Sequence, residues 1–199
     1  MISHPYAVNN SSHSKLYYVL VFISISLSVS VGFLADYLLL NWGIKIVGVS
    51  SLAIYGILYY IFNKWLWKSQ VIRSMLLVPN LNGLWKVVGK TSMKGAKEVD
   101  IHWEADIKIV QSWSKILIRL TTKQSSSYST SASIFNITDM GYRLVYHYDN
   151  DPKKDEHELK RHKGLCELLF DEKVETAKGY YFSDKDRMTT GTMSLTKIG

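Results

Sequence analysis

Two long apolar runs near the N-terminus constrain this chain more than any other feature. Leu16 to Leu40 reads LYYVLVFISISLSVSVGFLADYLLL with Asp36 as its only charge, and Ile44 to Phe62 reads IKIVGVSSLAIYGILYYIF with Lys45 as its only charge. As helices rising about 1.5 Å per residue, both are long enough to cross a hydrocarbon core of roughly 30 Å. Lipid leaves stray backbone groups without partners, so a spanning segment is a helix or part of a closed barrel. The pattern predicts a two-helix transmembrane hairpin over residues 16–67, turned at Asn41-Trp42-Gly43.

Within the first run, Ile23 to Val31 alternates apolar residues with serine, a period that by itself fits a half-buried strand. The surrounding run is far longer than a strand and has no turn residues, which favours the helix. On that helix Ser24, Ser28 and Gly32 fall four apart, a small-residue stripe that admits another helix at close range. A signal peptide is rejected, because the run exceeds the roughly 7–15 residues of an h-region and no small-residue cleavage site precedes the second run. Lys15 precedes the first run, while Lys64, Lys68 and Arg73 follow the second, with Trp65 and Trp67 forming an interfacial belt. The positive-inside tendency then puts both termini in the cytoplasm and Asp36 at the far interface.

Beyond the hairpin, residues 68–80 read as a linker that continues the helix for a few turns and stops at Pro79-Asn80. Residues 1–15, rich in Ser, Asn and His, read as a disordered cytoplasmic tail. The remainder, 81–199, is one modest soluble domain. Five of the 24 Lys and Arg and one of the 17 Asp and Glu fall in residues 1–74, so the net charge of +7 divides into +4 there and +3 over 75–199. The soluble domain is only mildly basic, unlike a dedicated nucleic-acid binder, and DNA or RNA is not an expected partner. The single Cys166 excludes an internal disulfide and any cysteine-cluster zinc site, in keeping with a reducing cytoplasm.

From Gly83 onward the pattern changes to short β runs separated by turn residues: Leu84–Thr91, Val99–Gln111, Lys115–Thr122, Ser127–Thr138, Tyr142–Asn150, Leu165–Asp171, Thr176–Phe182 and Thr192–Ile198. The second is the clearest, with Ile101, Trp103, Ala105, Ile107 and Ile109 on one face and His102, Glu104, Asp106 and Lys108 on the other. Only Lys153–His162 is suited to a polar turn of helix. Eight antiparallel strands make a sandwich or a closed barrel, and the barrel is favoured because closure removes exposed edges. Leu81-Asn82-Gly83-Leu84-Trp85 resembles the Gly-x-Trp start of lipocalin-like and avidin-like barrels, where the tryptophan plugs one end.

Catalytic motifs are missing. There is no Walker loop or nucleophile elbow, the histidines do not have zinc-helix spacing, and neither an enzyme nor a cofactor is expected. Binding is better supported. Ser127, Ser129, Ser131 and Ser133 share one face of the fourth soluble strand, either as a hydroxyl wall inside the barrel or as residues facing water. Tyr142, Leu144, Tyr146, Tyr148 and Asn150 share one face of the fifth, where tyrosine rings serve a core or stack on bases. Trp113, Lys115, Arg119, His162 and Arg187 add aromatic and cationic groups suited to phosphodiesters.

These pieces together resemble a known family. After the two apolar runs come Leu81 to Trp85, Gln111-Ser112-Trp113-Ser114-Lys115-Ile116, the hydroxyl run Thr122 to Ser133 and Tyr146-His147-Tyr148-Asp149-Asn150-Asp151-Pro152. His162-Lys163-Gly164, Gly179-Tyr180-Tyr181-Phe182 and Arg187 to Met193 close the series. From Leu16 on, the chain resembles the two-transmembrane, β-strand-rich effector of CBASS, the bacterial anti-phage system built on cyclic-oligonucleotide signals. The resemblance implies an eight-stranded barrel that senses a cyclic dinucleotide made by a partner nucleotidyltransferase. It further implies homo-oligomers in the inner membrane whose helices disrupt the bilayer and abort infection. On that expectation Trp113, Tyr146 and Tyr148 stack on bases, Lys115 and Arg187 neutralise phosphates, and Thr121, Ser127, Asn150 and His162 bond polar edges. Gly83, Trp85 and Gly191 are assigned to structure. The alternatives are a lipocalin-like carrier of a lipid or apolar metabolite, which needs an apolar lumen, and a membrane-anchored enzyme.

Overall fold

The computed structural model describes residues 3–9, 12–93, 99–153, 161–184 and 188–198. The expected polar turn after Lys153 and the candidate Arg187 lie outside the described residues. The chain divides into two units, Ser11–Leu76 and a second made of Met1–Asn10 with Leu77–Gly199.

The first unit is helical: α1 (Ser12–Trp42), α2 (Ser51–Lys64), a 3-10 turn at Leu66–Lys68, and α3 (Gln70–Leu76). Ser14–Trp42 is long and apolar enough to cross a membrane. Helix α1 ends at Gly43, whose φ of +67° is a left-handed conformation that glycine adopts without the penalty of a Cβ.

The second run departs from expectation. Residues 43–50 are not helical, and α2 has 14 residues, about 21 Å, rather than the expected span from Ile44. The cause is local. Gly43, the β-branched Ile44, Ile46, Val47 and Val49, and Gly48 are poor helix formers, whereas Ser50 is a good N-cap and accepts the Ala53 N–H at 3.2 Å. One residue of the small-residue stripe of α1, Ser28, meets this segment. Ser28 donates its hydroxyl to the Val49 carbonyl at 2.8 Å, which supplies a partner to backbone that no helix satisfies.

The second unit is a closed sheet of nine strands, where eight were expected. Eight of them, β2 (Gly83–Met93), β3 (Val99–Gln111), β4 (Lys115–Thr121), β5 (Ser125–Ile137), β6 (Gly141–Pro152), β7 (His162–Phe170), β8 (Thr176–Ser183) and β9 (Thr189–Lys197), pair antiparallel in chain order. Strand β9 returns to β2 along a nine-residue ladder from Trp85 to Met93, so every edge in the meander is paired.

The ninth strand corrects the expectation of a disordered tail. His4–Val8 forms β1, antiparallel to β4 at Ile116 and Lys115 and parallel to β5 from Ala132 to Ile134. Strands β4 and β5 pair with each other only from Arg119–Tyr128 to Thr121–Ser126. Past that point a bulge between Ser129 and Ser131 bends β5 away, and β1 fills the opening. Tyr6 is buried there, accepting a hydrogen bond from Gln111 Nε2 at 3.1 Å and donating to the Ser112 carbonyl at 3.3 Å.

One end of the barrel is filled. Trp85 is fully buried and meets Phe170 edge-on, with centroids 5.1 Å apart, as a Gly-x-Trp plug should. Gln111 ties this end together by accepting the Leu81 N–H at 2.8 Å and donating to the Pro79 carbonyl at 3.2 Å. At the opposite end, where β2, β4, β6 and β8 finish and β3, β5, β7 and β9 begin, the core gives way to a cavity.

Candidate ligand-binding site

A cavity of about 220 Å³ occupies that end of the barrel. Alternation along each strand decides which side chains reach it. Strand β6 sends in Tyr146, Tyr148 and Asn150; β5 sends in Ser125 and Ser127; β7 sends in His162 and Cys166. Trp103 of β3, Tyr181 of β8, and Thr91, Leu120, Thr122, Thr189 and Met193 complete most of the wall.

The aromatic residues share a structural device. Trp103 stands directly opposite Gly89, Tyr148 opposite Gly164, and Tyr181 opposite Gly191. In each pair a Cβ on the glycine would overlap the facing ring, so the ring lies across the glycine of the neighbouring strand. Tyr146 stands between Ala132 and Cys166, which are also small. Rings laid over small residues cover the wall, and the lumen stays open instead of filling as it does around Trp85.

Hydrogen bonds hold the rings in place. Trp103 Nε1–H donates to Thr91 Oγ1 at 2.9 Å, and Thr91 Oγ1 also pairs with the Tyr181 hydroxyl at 2.5 Å. Tyr148 meets His162 edge-on at 6.4 Å. Burial, followed by Cys166 beside it, pushes the Tyr146 phenol well above its ordinary value, so it stays protonated and able to donate. Burial pushes the Cys166 thiol up to about 12, which makes it a packing group and not a nucleophile at neutral pH.

Of the expected site residues, Ser127, Tyr146, Tyr148, Asn150 and His162 come together in this cavity. Trp113 does not. It is fully buried in the β3–β4 turn, beyond Gln111, which itself lies ten residues along β3 from Ile101 of the cavity wall, or roughly 33 Å at strand rise. Lys115 is exposed at the start of β4, paired with Pro5. Thr121 is one residue out of phase, since the apolar face of β4 runs Ile116, Ile118, Leu120, and its continuation into the cavity is Thr122.

The serine run also divides. Ser125 and Ser127 line the cavity, but Ser129 is taken up by the Ile118 N–H at 3.0 Å and by His4 Nε2 at 2.7 Å. The bulge then reverses the phase, leaving Ser131 exposed and bonded to His147 Nδ1 at 3.0 Å. Five Ser and Thr hydroxyls, from Thr91, Thr122, Ser125, Ser127 and Thr189, thus stand among aromatic rings. Such a lining suits a planar polar ligand better than the apolar metabolite of a lipocalin-like carrier.

Residues 76–197 match the family model described as Cap15, cyclic dinucleotide receptor domain. The chain belongs to the Cap15 family. It is 43% identical over 150 residues to CD-NTase-associated protein 15 of Yersinia aleksiciae, an alignment that covers 75% of this chain and 70% of that protein. As a Cap15 chain it is a CBASS effector with a cyclic dinucleotide sensor domain, and its receptor domain is the barrel that holds the cavity.

Proposed function

We propose that a cyclic dinucleotide made by a partner nucleotidyltransferase binds in the barrel cavity, and that binding drives oligomers of the membrane helices which disrupt the inner membrane and abort infection. The observation that carries this reading is the cavity itself: aromatic rings seated on the wall, hydroxyls and amides between them, inside a cyclic dinucleotide receptor domain. Bases stack on aromatic rings at a gain of about 1–3 kcal/mol each. In the receptor, Tyr146 and Tyr148 stack the base while Ser127, Asn150 and His162 meet its polar edge.

The chain path supports a two-pass topology. Strand β1 precedes α1 and β2 follows α3, yet both belong to one barrel. A chain that leaves the barrel, crosses a membrane through α1 and rejoins the same barrel must cross again. The segment 43–64, with α2 at its end, supplies the return, which keeps the barrel and the start of α1 on the cytoplasmic side. Lys64, over the Trp65 ring at 4.7 Å, anchors the inner interface.

In the sequence, β1, which fills the β4–β5 seam, is followed by α1 after residues 9–11. Apolar residues of α1 are exposed almost all round, Phe22, Phe33 and Leu40 among them, which leaves surface for lipid or for a second copy.

The test is growth and membrane potential in cells that express the full-length protein with an active nucleotidyltransferase. The wild type should depolarise the membrane and arrest growth. Val31→Arg in α1 should abolish both while leaving ligand binding within threefold of wild type. Arrest that persists with Val31→Arg contradicts a membrane output.

A further inference from the structure

The return from α1 carries backbone that the chain itself leaves unpaired. Ser28 lies at the midpoint of the apolar span Ser14–Trp42 and donates to the Val49 carbonyl at 2.8 Å. The chain therefore travels from Trp42 back to the middle of α1 in seven residues, where the helix takes fourteen. Fourteen helical residues rise about 21 Å, so the return advances roughly 3 Å per residue, close to the rise of a strand. Every residue from Asn41 to Ser50 is exposed. Among the described residues, the N–H and C=O groups of Lys45, Ile46, Val47 and Gly48 have no hydrogen-bond partner, nor has the Val49 N–H.

Hydrocarbon does not admit such backbone. Irregular chain occurs at membrane depth only where protein or water covers it, and Ser28 satisfies a single carbonyl. The residues are those of a strand, since Ile46, Val47 and Val49 are β-branched. An extended segment with open edges is completed by another strand.

Charge points to where that strand comes from. Asp36 lies six residues before Trp42 on α1, about 9 Å along the helix, and Lys45 lies three residues after it on the extended return, about 10 Å back. The two stand at similar depth, both are exposed, and neither has an ion pair among the described residues. Copies inserted the same way all place both charges at that level, so the carboxylate of one copy complements the ammonium of its neighbour.

We infer that residues 45–49 are a contact between copies of this chain: the segment pairs as a parallel strand with the same segment of a second copy, and Asp36 of one copy pairs with Lys45 of the next. This rests on the two-pass membrane reading and names the surface through which the copies associate. It gives the second apolar run a reason to delay its helix until Ser50, because a helix from Ile44 would satisfy its own backbone and offer no edge.

The experiment uses full-length protein in cells carrying an active or an inactive nucleotidyltransferase. In a Cys166→Ala background, Val47→Cys is oxidised with copper phenanthroline and covalent dimers are measured on a denaturing gel. Dimers should rise at least fivefold when the nucleotidyltransferase is active. In the same background Asp36→Lys and Lys45→Asp should each suppress both the dimers and growth arrest, and the double variant should regain them, with wild-type amounts of every variant in the membrane fraction. No rise in dimers in cells that still arrest growth would overturn the contact, and so would a double variant no better than either single change. A wild type that neither arrests growth nor depolarises the membrane would overturn the membrane reading itself.

Discussion

Gly89 of β2 stands directly opposite Trp103 of β3, and the indole lies over it so closely that a Cβ would overlap the ring. The same relation joins Gly164 to Tyr148 and Gly191 to Tyr181. The cavity of this barrel is kept open by what is missing at those glycines. In the filled half of the barrel, large side chains such as Trp85, Phe170, Ile109 and Ile116 project inward and meet.

Gly89→Ala is the cleanest test of that relation, because the nearest atoms a methyl would meet there all belong to the Trp103 side chain. The ring must swing into the lumen and give up its 2.9 Å bond to Thr91. Overpacking of this kind costs about 1–3 kcal/mol of stability. Ligand affinity should fall at least tenfold, and Gly89→Ala combined with Trp103→Leu should regain most of the stability. Denaturant unfolding and calorimetry on the same preparations measure both.

Strand β1 should behave as part of the barrel and not as a tail. Tyr6→Ala removes a buried ring and should destabilise the receptor by about 3–5 kcal/mol, whereas Tyr6→Phe, which leaves Gln111 without one of its partners, should cost about 1–2 kcal/mol. Fluorescence of the buried Trp85 during urea unfolding reports both. Changes below 0.5 kcal/mol in both variants would return residues 1–15 to the status of a free arm.

Much of this was legible before the fold. Strand β3 runs from Val99 to Gln111 as its alternation predicts, because one face is buried and the other is wet. The face Tyr146, Tyr148, Asn150 was equally plain, and following the β4 alternation from Ile116 through Leu120 leads to Thr122 and not Thr121. The bulge at Ser129/Ser131 was hidden in a stretch where every residue is small and polar, so no change of phase shows. Strand β1 was hidden for a different reason. His-Pro-Tyr-Ala-Val pairs with segments more than a hundred residues away, and only the bend in β5 makes room for it. Pairings of glycine with aromatic rings across strands likewise depend on register, which a single strand does not reveal. The second apolar run has a hydropathy suited to a span, but its β-branched and glycine residues delay the helix until Ser50 caps it.

Alkaline pH should weaken the fold in a defined window. Burial raises the Cys166 thiol from 9.0 to about 12 and the Tyr6 phenol from 10.0 to about 12. The folded protein therefore keeps protons that the unfolded chain loses. Stability from these groups is fully present below about pH 9 and declines as pH rises toward 12, by up to about 1.4 kcal/mol per pH unit for each group. Urea midpoints from pH 8 to 11 should fall, and Cys166→Ala should lessen the slope. Native protein at pH 8 should resist iodoacetamide, with Cys166 reacting only on unfolding.

The even-pass topology predicts opposite exposure for two positions. In a Cys166→Ala background, Lys45→Cys should react with a membrane-impermeant maleimide added to intact spheroplasts, while Lys197→Cys should react only after lysis. Labelling of both positions from the outside contradicts a cytoplasmic barrel.

The central claim is that the signal enters the lumen beside Ser127. Ser127→Trp places a large ring in that space on a residue that faces both Leu120 and Asn150. Titration of the full-length protein with the cyclic dinucleotide that the wild type binds most tightly measures the claim directly. The prediction is saturable binding in the wild type and none detectable in Ser127→Trp at an unchanged melting temperature. Equal affinity in a folded Ser127→Trp protein would contradict it.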